Sequence, residues 1–219
     1  MRILALDAAL ARCSAAVLGD GAILAQAAEA GARGQPAILP PMAARVLAEA
    51  GMAAGDLDAV AVTVGPGSFA GLRAAIALAH GIALAAGCPV VGVRVAEALA
   101  EQLALPPGWR LWVAIDSRRG RVFLDRDGAI ATVALADLPR PAAPVAIAGD
   151  AANEVAARLA ARGDPVMLTA ARLPHATAVA RVAARRLAGS IPPLAAQPLY
   201  IDPPEAKLPA GGLRPAPAP

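Results

Sequence analysis

Apolar residues follow two rhythms along this chain, and the alternation between them predicts its elements. Residues 2–6 form a short, almost unbroken apolar run that ends at Asp7, the pattern of a buried strand. Residues 13–18 and 22–28 read as two further strands. Gly19-Asp20-Gly21 between them tolerates the positive φ of a tight hairpin, so the chain opens with a three-stranded meander. Pro40 and Pro41 then precede an apolar stretch at residues 42–50 that Gly51 closes. Propensity alone starts that helix at the prolines, because a first-turn proline loses no hydrogen bond. Residues 60–64 are a fully apolar strand. The segment GPGSFAGLR at residues 65–73 leads into a helix that runs to about Ala86, with Ser68 as N-cap and Gly87 as stop. A strand at residues 89–93 and a short helix at 96–103 follow.

Pro106-Pro107-Gly108 marks the expected domain boundary, and the same order of elements begins again after it. Residues 110–115 form a strand that ends at Asp116, followed by strands at 121–124 and, beyond the turn Asp127-Gly128, at 129–133. Residues 145–148 are a strand leading to a helix with Asp150 as N-cap, a Glu154–Arg158 pair one turn apart and Gly163 past its end. Residues 166–168 add a strand and residues 176–188 a last helix, stopped by Gly189. Two halves that each open on an apolar strand ending in Asp, then a meander, then alternating helix and strand, point to a duplicated α/β unit. The actin, sugar-kinase and Hsp70 fold is built this way. The expected division is a first lobe at 1–106, a second at 107–202, and a disordered Pro- and Ala-rich tail at 203–219.

Composition narrows the chemistry. The chain is 58% hydrophobic and only 2% aromatic, so its core is built from Ala, Val, Leu and Ile. Trp109, Trp112, Phe69, Phe123 and Tyr200 are scattered, which argues against an independent binder of single-stranded nucleic acid. The net charge is +3, with the excess of basic residues in the second half; nineteen of the twenty are Arg, the mark of a compositional bias more than of phosphate contacts. Cys13 and Cys88 belong to no CxxC pair, and His80 and His175 to no metal-ligand spacing, so neither a metal nor a cofactor is expected. The N-terminus reads as a strand and not as an export signal. The apolar helix at residues 74–86 contains His80 and falls short of the ~20 residues of a membrane span. A soluble cytoplasmic protein is expected.

The glycine motif is not a phosphate loop by spacing. It has no Lys for a Walker A loop, and Gly65, Gly67 and Gly71 give GxGxxxG in place of the dinucleotide GxGxxG. The helix after it is apolar nearly all round, with Arg73 and His80 together on one side. A helix of that kind needs cover on every side, and a sheet supplies only one. Asp7 and Asp116 end equivalent strands, as phosphate-proximal acids do in actin-fold kinases. The sequence after Asp7, Ala8-Ala9-Leu10-Ala11-Arg12, lacks the glycine and hydroxyl that such kinases wrap around phosphate. No Ser-His-Asp or Cys-His arrangement stands out, and no catalytic residue is assigned.

Taken together, Ile3-Leu4-Ala5-Leu6-Asp7 with Cys13-Ser14, GPGSFAGLR, residues 81–93 around GCPVVGV, Asp116-Ser117-Arg118-Arg119-Gly120 and PLYIDPPEAKLP at 198–209 resemble the TsaB (YeaZ) family. The likeness covers nearly the whole chain, although the family usually has Thr where Ala70 stands and often His where Gly34 stands. It implies an actin-like (ASKHA, ribonuclease H-like) α/β fold of two lobes, each a mixed sheet with flanking helices. It also implies a first helix that starts earlier, near Gln35. The family implies a non-catalytic subunit that forms a heterodimer with its catalytic homologue TsaD, joined by the ATPase TsaE, in making threonylcarbamoyladenosine beside the tRNA anticodon. Contact with tRNA would be indirect or weak, and a homodimer is the alternative when TsaD is absent. TsaD holds its metal through histidines that this chain lacks.

The first two helices make the partner interface in that family, and here the expected contacts are Leu39, Met42, Val46, Leu72, Arg73, Ile76 and His80. A carboxylate at Met42 or Ile76 is then expected to break the complex and spare the fold. The competing reading is an enzyme, an actin-fold ATP-dependent phosphotransferase or a peptidase-like protein using the cleft between Asp7 and Asp116.

Overall fold

Two hairpins with the same chemistry start the two halves of the structure. At Asp20-Gly21 and Asp127-Gly128 both central residues have positive φ, 49° and 82° in the first and 53° and 87° in the second. That two-residue turn matches the twist of the strands it joins. The computed structural model describes residues 1–31, 34–117 and 120–201. The expected tail and the Arg118-Arg119 pair lie outside the described residues.

In the first half, β1 (Arg2–Leu10), β2 (Arg12–Gly19) and β3 (Ala22–Ala30) are antiparallel. Helix α1 (Gln35–Glu49) leads to β4 (Ala59–Gly65), α2 (Phe69–Ala86), β5 (Val90–Arg94) and α3 (Val95–Ala100). Strands β4 and β5 run parallel to β1, giving the order β3-β2-β1-β4-β5. The second half repeats it with β6 (Arg110–Asp116), β7 (Arg121–Arg126), β8 (Ala129–Ala134), β9 (Val145–Ala148), α4 (Ala152–Ala161) and β10 (Val166–Leu168). Its sheet order is β10-β9-β6-β7-β8, the same arrangement read from the other edge. The duplicated mixed sheet is the expected actin-like, ribonuclease H-like fold. The last helix, α5 (Ala176–Leu187), follows the second sheet in the chain but packs on the first, against β1 and β2.

Side-chain alternation divides the first sheet between two cores. Ile3 and Ala5 face α5, together with Ala16, Ala59 and Ala61. Leu4, Leu6 and Ala8 face α1 and α2. Helix α2 buries Gly71, Ala75, Ala79 and Ala83 at four-residue intervals. Small side chains along one stripe let the helix lie close to the sheet, which is how a core poor in aromatics closes. Between the lobes, Leu10, Leu72, Val95 and Leu99 pack against Val113, Ile115 and Ala148 of the second sheet.

Three expected boundaries need correction. Helix α1 begins at Gln35, with Pro36 in its first turn and Pro40 and Pro41 inside it, so the propensity start is wrong and the start implied by the family holds. The cause is tertiary: the buried Gln35 amide donates to Leu10 O at 2.5 Å and to Gly31 O at 3.3 Å, and both inner prolines face outward. Strand β1 continues past Leu6 to Leu10, so Asp7 lies inside it. Asp150 does not cap α4; the cap position is Ala151, and Asp150 accepts the backbone N–H of Asp116 at 2.9 Å instead.

Candidate functional site

Because β1 extends beyond Leu6, Asp7 is carried wholly into the interior, at 0% exposure. It lies opposite Ser14 of β2, on the face that α5 covers. Its Oδ1 accepts the Thr63 hydroxyl at 2.7 Å and the Ala9 N–H at 3.1 Å, while Oδ2 has no hydrogen-bond partner among the described residues. Ser14 Oγ in turn accepts the N–H of Ala176, the first residue of α5. Burial pushes the Asp7 carboxyl up from 3.8 to about 6, held back by the Thr63 and Ala9 hydrogen bonds and by the charge of Arg12. The Arg12 guanidinium is tied to the chain entering α5, donating to the carbonyls of Leu173 and Pro174. Burial also raises the neighbouring Cys13 thiol to about 11, helped by the charges of Asp7 and Glu29, so that thiol is inert at neutral pH.

The glycine motif packs on the end of β1, just beyond Asp7. A Cβ on Gly67 would lie 2.2 Å from Ala9 O, and one on Gly71 would lie 2.1 Å from Ala8 O and 2.4 Å from Gln35 Oε1. Ser68 N donates to Ala9 O at 2.7 Å, and Ser68 Oγ caps α2 by accepting Gly71 N at 3.3 Å. These glycines therefore allow backbone to touch backbone. The Ala9 amide is already bound to the Asp7 carboxylate and is not available to an anion. In the second half the corresponding acid, Asp116, is exposed at the end of β6, its N–H held by Asp150. The two acids thus occupy unlike settings, one sealed and one open.

Of the seven residues expected at a partner interface, five are inside the chain. Leu39, Met42, Val46 and Ile76 fill the core between α1, α2 and the sheet, and Leu72 fills the junction between lobes. A carboxylate at Met42 or Ile76 would therefore be driven into the core and unfold the protein, contrary to the expectation that it spares the fold. Arg73 and His80 do reach the surface of α2. His80 Nε2 lies 3.1 Å from Ala196 O, and His175 caps α5 by accepting Thr177 N.

The outer face of α2 carries residues that the sequence reasoning missed. Phe69 is 61% exposed and Leu84 86%. The Arg73 guanidinium lies 3.5 Å from the Phe69 ring centroid and donates to the Tyr200 hydroxyl, from Nη2 at 2.8 Å and Nε at 3.1 Å. Arg73 is thus clamped between two rings. Phe69, Arg73, His80 and Leu84 are spaced so that they share one helical face, and that spacing was the available signal.

A two-lobed, actin-like protein is the class that this fold defines. The chain matches the family described as TsaD, tRNA N6-adenosine threonylcarbamoyltransferase, over residues 29–160. It is 38% identical over 124 residues to the tRNA threonylcarbamoyladenosine biosynthesis protein TsaB of Escherichia coli, covering 56% of this chain and 53% of that protein. That alignment spans about half the length of the curated relative. YeaZ from Pseudomonas aeruginosa is 30% identical, with a TM-score of 0.74 over 91% of this chain and 99% of that one. A Pseudomonas aeruginosa protein described as similar to the peptidase YeaZ gives 29% identity and a TM-score of 0.76, covering 92% and 99%. The chain belongs to the TsaB (YeaZ) family.

Proposed function

We propose that this chain is a non-catalytic cytoplasmic subunit that binds and supports a TsaD-type transferase in threonylcarbamoyladenosine modification of tRNA beside the anticodon. The observation that carries the reading is the outer face of α2, where Phe69 and Leu84 are exposed and Arg73 is held ready between Phe69 and Tyr200. Aromatic residues and Arg dominate the energetics of protein interfaces, and a side chain already fixed in place loses little entropy on binding. The matched family region, residues 29–160, contains both α1 and α2, so a partner built on the same fold offers a helix of the same kind. Helix packed on helix is the economical contact between two such homologues. TsaE joins that pair in this reading, tRNA is met chiefly through the partner, and the same face supports a homodimer when the transferase is absent.

The enzyme alternative is disfavoured by a sealed site. Asp7 is fully buried, and the Ala9 amide is bound to it. Substrate would have to open the sheet to reach that carboxylate.

Co-expression with the transferase of the same organism tests the proposal. The two proteins are expected to co-purify, and Phe69→Asp with Leu84→Asp to weaken the complex at least a hundredfold with unchanged circular dichroism. The chain alone should make no threonylcarbamoyladenosine, and its omission should lower the yield of the transferase mixture. Undiminished capture of the double variant, or full modification without this chain, overturns the proposal.

A further inference from the structure

A second region of the lobe junction holds two opposite charges that do not meet. A pocket of about 290 Å³ opens between α3 and the inner face of the second sheet. Ala96, Ala100, Leu111 and Val113 form its apolar wall, and Arg94, Glu97, Asp125 and Asp127 bring charge to it. Two of the acids are already paired. Glu97 accepts Arg94 N on Oε2 at 2.8 Å and Arg186 Nη2 on Oε1 at 2.6 Å. Asp127 pairs with Arg110 at 3.7 Å on the exposed rim.

Asp125 is the acid left over. It projects from β7 opposite Val113, is 7% exposed, and spends Oδ1 on Gly128 N at 2.9 Å. Its Oδ2 is buried and has no hydrogen-bond partner among the described residues. A buried, unpartnered carboxylate oxygen costs stability unless something donates to it. Burial accordingly pushes the Asp125 carboxyl up, opposed by the Gly128 hydrogen bond and the charge of Arg94. Arg94 sends Nη1 to Gly128 O at 3.1 Å, and its Nε and Nη2 make no hydrogen bond among the described residues. No ion pair joins Arg94 to Asp125, although both line the same pocket.

We propose that this pocket binds a small zwitterion, an α-amino acid with a short aliphatic side chain, its ammonium on Asp125 and its carboxylate on Arg94. The volume lies just under the range of ordinary ligand sites, which suits a molecule of that size. The free guanidinium N–H groups match a carboxylate, and the ammonium takes the Asp125 carboxyl, whose buried Oδ2 turns toward the pocket to accept from it. The aliphatic side chain rests on Ala96, Ala100, Leu111 and Val113. A simple amine or a simple carboxylate leaves one of the two charges unanswered. The site is separate from Asp7 and from the outer face of α2, so it stands or falls apart from the partner proposal.

Ligand-observed saturation-transfer NMR on the full chain at pH 7.5 tests it, with L-alanine, L-valine and L-leucine as probes and isobutylamine and isovalerate as single-charge controls. Saturable binding of at least one amino acid is expected, with each control at least tenfold weaker. Asp125→Asn and Arg94→Gln should each weaken the amino acid at least tenfold. Ala100→Phe fills the pocket from an exposed position on α3 and should abolish binding without loss of circular dichroism, which keeps the test decisive if Asp125→Asn does not fold. No saturable binding by any of the three amino acids overturns the proposal. So does equal binding of isobutylamine, or unchanged binding in folded Asp125→Asn or Ala100→Phe.

Discussion

The helix after the fourth strand solves the same packing problem twice in this molecule, with different outer surfaces. In the second half α4 buries Ala152, Val155, Ala156 and Leu159 and turns Asn153, Glu154 and Arg158 to water, with Glu154 and Arg158 paired at 3.6 Å. In the first half α2 buries an equivalent stripe, yet its outer face shows Phe69, Ala77, Gly81 and Leu84, with only Arg73 and His80 as polar members. A helix in this position needs one apolar stripe, as α4 demonstrates. The second apolar face of α2 is therefore unexplained by the fold and is what the partner proposal explains. The leading acids differ in the same way: Asp7 is sealed beneath α5, whereas Asp116 remains open. The first half has closed the end of the sheet where chemistry would occur and left its helix surface uncovered.

The strongest way to break this comparison is to disturb the packing of α2 on the end of β1. Gly71→Ala places a methyl 2.1 Å from Ala8 O and 2.4 Å from Gln35 Oε1; the first is backbone and the second is held by its own hydrogen bonds. The chain has to shift, and we expect a loss of about 3 kcal/mol or more in urea unfolding. An unchanged midpoint would show that the end of β1 after Asp7 is loosely packed, and would remove the argument that the site is closed.

Asp7→Asn sharpens the contrast between the acids through pH. With the folded carboxyl at about 6 against 3.8, the native state holds its proton more tightly than the unfolded state. Below about 3.8 both states are protonated and the group costs nothing. As pH rises from there to about 6 the native chain loses stability relative to the unfolded one, and the loss is complete above that. Asparagine keeps an Oδ1 acceptor for Thr63 and Ala9 but does not titrate. The stability difference between parent and variant should therefore move in favour of the variant by about 2 kcal/mol between pH 4 and pH 7.5, read from urea unfolding at the two values. A constant difference would mean that Asp7 is not buried as a carboxyl.

Local chemistry made much of this legible in the sequence. The Asp-Gly turns, the Ser68 cap, the Gly87 stop and the Glu154–Arg158 pair are decided by neighbours along the chain, and each appears where expected. What failed depends on distant contacts. Gln35 starts α1 because its amide reaches carbonyls of the β1–β2 turn, which no propensity registers. Asp7 lies within a strand because β1 keeps pairing with β2 beyond Leu6, with Asp7 opposite Ser14 and Leu10 opposite Arg12. The sidedness of α2 was hard to read because Ala and Gly occupy both faces. Leu72 and Ile76 are as apolar as Phe69 and Leu84, and only packing tells that the first two point inward. Arg73 and His80 did mark the outer face, and extending their spacing by one turn each way reaches Phe69 and Leu84.

The smallest expected effect bears most directly on that face. Gly81 lies inside α2, is exposed, and a Cβ there would meet nothing within 4 Å. Glycine in a helix interior costs about 1 kcal/mol relative to alanine, so the isolated chain gives up stability at this position for no internal contact. An absent side chain on the outer face of a helix does permit another backbone to approach closely. Gly81→Ala should raise the stability of the isolated chain by about 0.5–1 kcal/mol, seen as a higher urea midpoint at unchanged slope. The same substitution should weaken capture of the transferase, because the added methyl stands where the partner would lie. Opposite signs in the two measurements would mark Gly81 as a contact residue. Loss of stability in the isolated chain would instead mean that the outer face of α2 is already packed, and the difference between α2 and α4 would need another cause.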